Sequence, residues 1–307
     1  MMFGTREEFD YFECDECGSI QIKEVPDLAV HYPPDYISFE DERSPYLASK
    51  LKYRLAARAV GRYYVNGSRI GRFVLEKKPW LADHFPKSLL NPHIRLDLNM
   101  RILDVGCGRG HLLQELSVFG FRDLTGVDAF IPQDILLSGG VKLLKGSLER
   151  ATGRFDLVMM HHTFEHMEDP RASLERCLEM LANGGRLLIR IPLVSFAWEE
   201  YGRDWAQLDP PRHLILYTER GFRKLAENCG YKIEGVIYDS TGFQFWGSTL
   251  YRNDVPLAGK KDENRAGFET AKAIFSTAEL DEWERRAEKL NAECKGDQAC
   301  FYLSPRQ

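Results

Sequence analysis

The sequence is short of the features that would carry a chain out of the cytosol. No apolar run is long enough to cross a bilayer, which leaves only a peripheral route to a membrane. The opening stretch MMFGTREEFDYFE is polar and acidic, without the apolar core of a signal peptide. Cysteine is sparse: seven unevenly spaced residues make no secreted disulfide framework, so a reducing, cytoplasmic location is expected. Positive charge is also lacking overall. A net charge of −5 argues against a dedicated nucleic-acid binder. Internal repeats and low-complexity tracts are missing, so 307 residues suit one α/β domain with additions.

Zinc ligands run short as well. Cys14 and Cys17 in CDECG form one knuckle of a ribbon, but a structural zinc site needs four ligands and no second CxxC follows. Residues 1–43 are therefore expected to form a metal-free, ribbon-like hairpin. His31, Cys294 and Cys300 are the nearest spare ligands in composition. Tyr32-Pro33-Pro34-Asp35-Tyr36 reads as a linker, and Ser44-Pro45 as a helix start. Residues 44–100 read as a basic helical extension. Leu51, Leu55, Ala59 and Tyr63 fall on one stripe, and Arg54, Arg58 and Arg62 on another. From 50 to 78 the only acid is Glu76, which suits either a solvated face or contact with an anionic surface.

What is present in strength is a strand, a glycine turn, a helix and a second strand. Arg101 to Val105 read as a buried strand, broken by Gly106, Gly108 and Gly110 in GxGxG spacing. A helix follows on Leu112, Leu113 and Leu116, and Leu124 to Val127 form a strand ending in Asp128. Main-chain N–H groups at such a turn can cradle a ligand, and an acid at the next strand end can accept ribose hydroxyls. A dinucleotide fingerprint is GxGxxG, and its last glycine is replaced here by His111. Asp104 adds a carboxylate that would repel a pyrophosphate and welcome a cation.

This stretch, LDVGCGRG, resembles motif I of the class I S-adenosylmethionine (SAM) methyltransferases. The segment FDLVMMHHTFEHMEDPRASLERCLEMLANGGRLLIRIP widens the resemblance to the groups known as types 11, 12 and 23. DPPRHLILYT is most similar to type 23. The resemblance implies a Rossmann-like seven-stranded α/β sheet over residues 101–307, its last strand antiparallel and inserted between the fifth and sixth. Strand patterns at 141–144, 155–160, 186–191, 231–238 and 299–303 supply the rest. It also resembles relatives with a cysteine-rich N-terminus, which makes Cys14 and Cys17 a candidate remnant of a truncated ribbon.

By the same resemblance, SAM is the cofactor and S-adenosylhomocysteine its product. Asp104, Gly106, Cys107, Gly108 and Gly110 are implied beneath the methionine part. Asp128 is implied at the ribose, with Ala129, Phe130, Ser147 and Leu148 around the adenine and His161 beside the sulfonium. Methyl transfer needs an aligned nucleophile and, for a hydroxyl, a base. His161, His162, His166 and His213 are the candidates. Trp205 and Arg212, in the loop after the fifth strand, and Phe245 and Trp246, in an insert spanning 243–297, are candidate acceptor contacts.

The expected acceptor is a small molecule, sugar or glycan precursor, methylated at oxygen, with a quinone or polyketide phenol next. A non-catalytic SAM-binding module and a nicotinamide-dependent oxidoreductase are the alternatives from other classes. Failure of the third glycine disfavours the last.

Overall fold

The computed structural model describes residues 5–31, 51–257 and 267–306. The Tyr32–Tyr36 linker and the Ser44-Pro45 helix start lie outside the described residues. Strands are β1 (Tyr11–Glu13), β2 (Ile20–Ile22), β3 (Arg101–Val105), β4 (Asp123–Asp128), β5 (Ile135–Leu136) and β6 (Lys142–Lys145). They continue with β7 (Phe155–His161), β8 (Leu181–Pro192), β9 (Ile215–Leu216), β10 (Tyr231–Tyr238) and β11 (Gln298–Pro305).

The main sheet runs β10-β11-β8-β7-β3-β4-β6-β5. Strands β8, β7, β3, β4 and β6 are mutually parallel, and β11 is antiparallel to both β8 and β10. All seven expected strands are present, with the last inserted where the resemblance implied. The eighth is β5, two residues pairing antiparallel along β6. So short an edge strand has no two-residue periodicity to betray it in sequence.

Successive side chains of a strand point to opposite faces, and here both faces are covered. Leu103, Val105, Val158, Met160, Leu187 and Ile189 pack on one side with the helices Pro170–Met180 and Glu219–Asn228. Ile102, Leu157, Met159 and Leu188 pack on the other, against Leu113, Leu116 and Phe119 of the helix His111–Phe119. That second core also takes Ala57 and Val60 of the helix Leu51–Asn66, with Leu81, Phe85 and Leu89 from the turns after it. Gly61 lies so close to the Phe119 carbonyl that a Cβ would collide with it. The 51–100 region thus completes the core under the first strand pair.

A second, three-stranded sheet runs β1-β2-β9. Ile20 and Ile22 of its hairpin are buried, Ile20 in a core with Trp205, Leu208, Leu216 and Phe245. The insert folds as helices Phe243–Arg252, Gly267–Ile274 and Thr277–Ala292, the last with a Ser276–Glu279 capping box.

Candidate functional site

The candidate cofactor residues gather at the carboxyl ends of β3, β4 and β7, where open α/β sheets bind ligands. After β3 the chain turns through Gly106, Gly108 and Gly110, all with positive φ (74°, 51° and 75°). Gly106 also abuts Thr163, so a Cβ there would strike its side chain. The glycine loop and the turn after β7 are in contact. Cys107 packs over Gly126 of β4, and burial pushes its thiol up, with Asp104 and Asp128 acting in the same direction.

Two carboxylates lie beneath this loop, Asp104 at 4% and Asp128 at 9% exposure. Burial, reinforced by the negative charge of Asp128, pushes Asp104 up to about 8. Asp128 accepts from the Gly108 N–H at 2.9 Å and the Phe130 N–H at 2.8 Å, so its orientation is set by backbone alone. Ala129 and Phe130 are exposed beside it. The Asp128 carbonyl accepts from Gly146, which brings exposed Ser147 and buried Leu148 to the same strand edge.

The end of β7 and the turn after it carry three of the four candidate histidines. His161 Nε2 shares a 2.9 Å hydrogen bond with Ser88, whose carbonyl accepts from Tyr302 of β11. Burial, then the charges of Arg190 and His162, press His161 down to about 3, so it stays neutral. His162, at φ 51°, takes Arg190 Nη1 at 2.6 Å on its Nε2, and Arg190 Nε donates to Asp239 at 2.6 Å. His166 Nδ1 lies 2.7 Å from the Arg212 carbonyl.

That last contact docks the turn onto the 209–214 loop, helped by Leu214 N–H donating to the Glu165 carbonyl. The fourth candidate, His213, stacks edge-on against His166 with ring centres 4.8 Å apart. Its Nδ1 lies 2.7 Å from the Gln207 carbonyl, and Tyr11 of the N-terminal hairpin donates to its own carbonyl at 3.0 Å. Burial, then His166, press His213 down to about 4. Between these rings lies Glu165, wholly buried, with His162 Nδ1 at 3.4 Å and His213 Nε2 at 3.9 Å. Burial would raise its carboxyl, yet the surrounding histidines hold it at about 2.

The acceptor candidates divide. Trp205 is buried and its indole N–H donates to Asp297 at 2.8 Å. Phe245 is buried in the core around Ile20. Arg212, 2% exposed, donates through Nε and Nη2 to the Asp209 carboxylate. These three have interior partners. Trp246 is half-buried, against Phe243 at 4.8 Å and Phe268 at 5.8 Å between ring centres. Among the described residues, no third side chain joins Cys14 and Cys17 in a metal-ligand cluster. Arg54, Arg58 and Arg62 line a separate cavity of about 300 Å³ with Arg122.

Glu165, Arg190 and Asp239 escaped the sequence reading, and Asp209 was read only as part of the loop after the fifth strand. Arg190 had a signal: it is the one charge within the apolar run LLIRIP. Glu165 sat in plain view beside His166, but nothing local says that its side chain turns inward.

A methyltransferase-domain family profile matches residues 80–236, just over half of the chain. The chain belongs to the class I SAM-dependent methyltransferases. The ubiquinone biosynthesis O-methyltransferase of Xanthomonas oryzae pv. oryzae is 30% identical over 228 residues, 66% of this chain and 92% of that protein. Its Xylella fastidiosa namesake is 29% identical over 225 residues, 64% and 88% of the two chains. Among solved structures, the plantazolicin methyltransferase BpumL in complex with a monoazolic desmethylPZN analog and SAH aligns at TM-score 0.42, with 16% identity over 85% of this chain and 99% of that one.

SAM is the cofactor of this methyltransferase, and the residues present fit it. The loop opens three left-handed glycines over a pair of buried carboxylates, a donor set suited to a cationic nucleoside. No described helix is long and apolar enough to cross a membrane.

Proposed function

We propose that this methyltransferase alkylates the hydroxyl oxygen of a small phenolic or quinol-type acceptor. The observation that carries this reading is the match, at 30% identity and over 92% of its length, to a protein named for ubiquinone biosynthesis O-methylation. It moves the phenolic acceptor ahead of the sugar hydroxyl expected from sequence.

In this reading Asp104, Gly106, Cys107, Gly108 and Gly110 hold the methionine part of SAM. Asp128 holds the ribose, with Phe130, Ser147 and Leu148 at the adenine. When bound, SAM supplies an electrophilic methyl group, and the chain supplies alignment and a route for the proton. His161 and His213 are too weakly basic for that proton near neutral pH. His162 already receives Arg190 on Nε2. The acceptor proton therefore leaves toward the cluster around Glu165, in which His166 is half-buried and holds its Nδ1 against the Arg212 carbonyl. Trp246 and Phe243 supply aromatic surface for a flat acceptor.

The test is a turnover screen with SAM against catechols, hydroquinones and sugar nucleotides, read by S-adenosylhomocysteine release. Product from phenols alone supports the proposal. Methylation of sugars alone overturns it, and SAM binding without turnover on any acceptor returns the chain to a binding module. His166→Ala should lower kcat by roughly 10²-fold or more while SAM affinity is kept.

A further inference from the structure

Arg54, Arg58 and Arg62 recur every four residues on the helix Leu51–Asn66, so they lie along one face of it. With Arg122, from the turn before β4, they line the cavity of about 300 Å³, and no carboxylate lines it. Leu98, Phe119 and Phe121 supply its apolar part, and Ser117 and Ser138 add hydroxyl groups.

These cations are uncompensated. Among the described residues, no acid pairs with Arg54, Arg58 or Arg62. Arg122 donates to the neutral Asn99 amide oxygen at 3.3 Å. Exposed arginines elsewhere do find acids, as in Arg72–Glu76, Arg150–Asp134 and Arg223–Glu219. A chain of net charge −5 has acids to spare, and none is placed here. Nor do the three serve their own helix. Like charges four residues apart repel, and Arg54 lies in the first turn, where the helix dipole disfavours a cation. One favourable field is the carboxyl end of the helix His111–Phe119, which closes at Gly120 beside the Arg58 side chain. Its Leu116 and Ser117 carbonyls already accept from the Gly120 N–H. An end worth about half a charge answers one guanidinium and leaves the rest.

The groove is also held in shape on both sides. Gly61 lies against the Phe119 carbonyl, so the two helices cross backbone to backbone. On the other wall Ser117 packs so tightly against Gly139 that a Cβ there would strike its hydroxyl.

We propose that this groove binds a di- or triphosphate group. Guanidinium forks meet phosphoryl oxygens two at a time, which gives such a row of arginines its preference for phosphate. At about 1.5 Å per residue, Arg54 to Arg62 spans roughly 12 Å, longer than one phosphate and suited to two or three in line. The volume is at the small end for ligand sites and fits the polyphosphate tail of a nucleotide or phosphorylated metabolite. The site is distinct from that of SAM, because the helix His111–Phe119 starts at the glycine loop and ends in the groove.

The experiment is calorimetry of the full chain, at about 150 mM salt to screen diffuse attraction. The probes are pyrophosphate, tripolyphosphate, inorganic phosphate and phosphatidylglycerol vesicles. One pyrophosphate or tripolyphosphate per chain is expected, at least roughly tenfold tighter than inorganic phosphate. Arg58→Gln and Arg122→Gln should each weaken binding by roughly tenfold or more, with SAM affinity unchanged. Both side chains are exposed, so the fold should survive either change. Tripolyphosphate should raise the unfolding midpoint of the parent and barely move that of Arg58→Gln. Arg285→Gln, on the insert helix Thr277–Ala292, should bind as the parent does. Vesicles that compete with tripolyphosphate would make a lipid the source of the phosphates, and vesicles that stay unbound would make it a soluble ligand. No saturable polyphosphate binding, full affinity in Arg58→Gln, or an equal loss in Arg285→Gln would each overturn the proposal. So would binding to vesicles without binding to soluble polyphosphate, which would make this face a membrane contact.

Discussion

Asp104 sits in the folded protein with a carboxyl raised to about 8, first by burial and then by Asp128. A group raised in the folded state favours folding below its unfolded value and loses that contribution as pH climbs through the folded one. Asp104→Asn should therefore raise the melting temperature of the SAM-free protein at pH 8, by about 2–4 °C for each kcal/mol recovered, and much less at pH 4. The same carboxyl should ionise when a cation arrives. SAM binding is expected to release a proton near pH 7 and to tighten from pH 6 to 8. Calorimetry in buffers of different ionisation enthalpy would read the proton directly, and a binding heat independent of buffer would refute it.

Side-chain direction was the least legible part at this scale. Asp104, the glycines and Asp128 were placed by spacing, because a strand, a tight turn and a strand end leave each few options. Arg212 looked like a hand held out to an anion. Its partner Asp209 stands three residues back in DPPR, but only the turn of the loop brings guanidinium and carboxylate together in the interior. Trp205 and Phe245 suffered the same fate, since an aromatic side chain in a long segment reads alike whether it faces a ligand or a core.

Among the elements, strands were read well and their company poorly. Apolar runs located β3, β7, β8 and β11 within a few residues, since burial on both faces writes a continuous pattern, and the half-buried edge strand β10 was read as well. The short pairing of β9 with β2 had no such pattern, and it ties the N-terminal hairpin to the loop carrying His213. Ile20→Ala should cost about 2–4 kcal/mol in chemical denaturation, because Ile20 is 2% exposed in the core holding Trp205 and Phe245. At the glycine loop, Gly106→Ala would force a Cβ into Thr163 at a left-handed φ. About 1–3 kcal/mol of strain should weaken SAM binding by tenfold or more, with thermal unfolding still cooperative.

For the whole molecule, the order of the sheet matters more than the number of its strands. β10 is bonded into the main sheet through β11, and β11 alone joins it to β8. Yet β11 is encoded at 298–305, after the entire helical insert. On a ribosome adding roughly 5–20 residues per second, β10 waits several seconds as an unpaired hydrophobic edge. The turn after β7 also lacks, for that interval, the Tyr302 whose hydroxyl donates to the Ser88 carbonyl beside His161. A nascent chain stopped before 298 would thus leave β8 and β10 as open edges for its neighbours to find, because the one strand that bonds to both is still unmade.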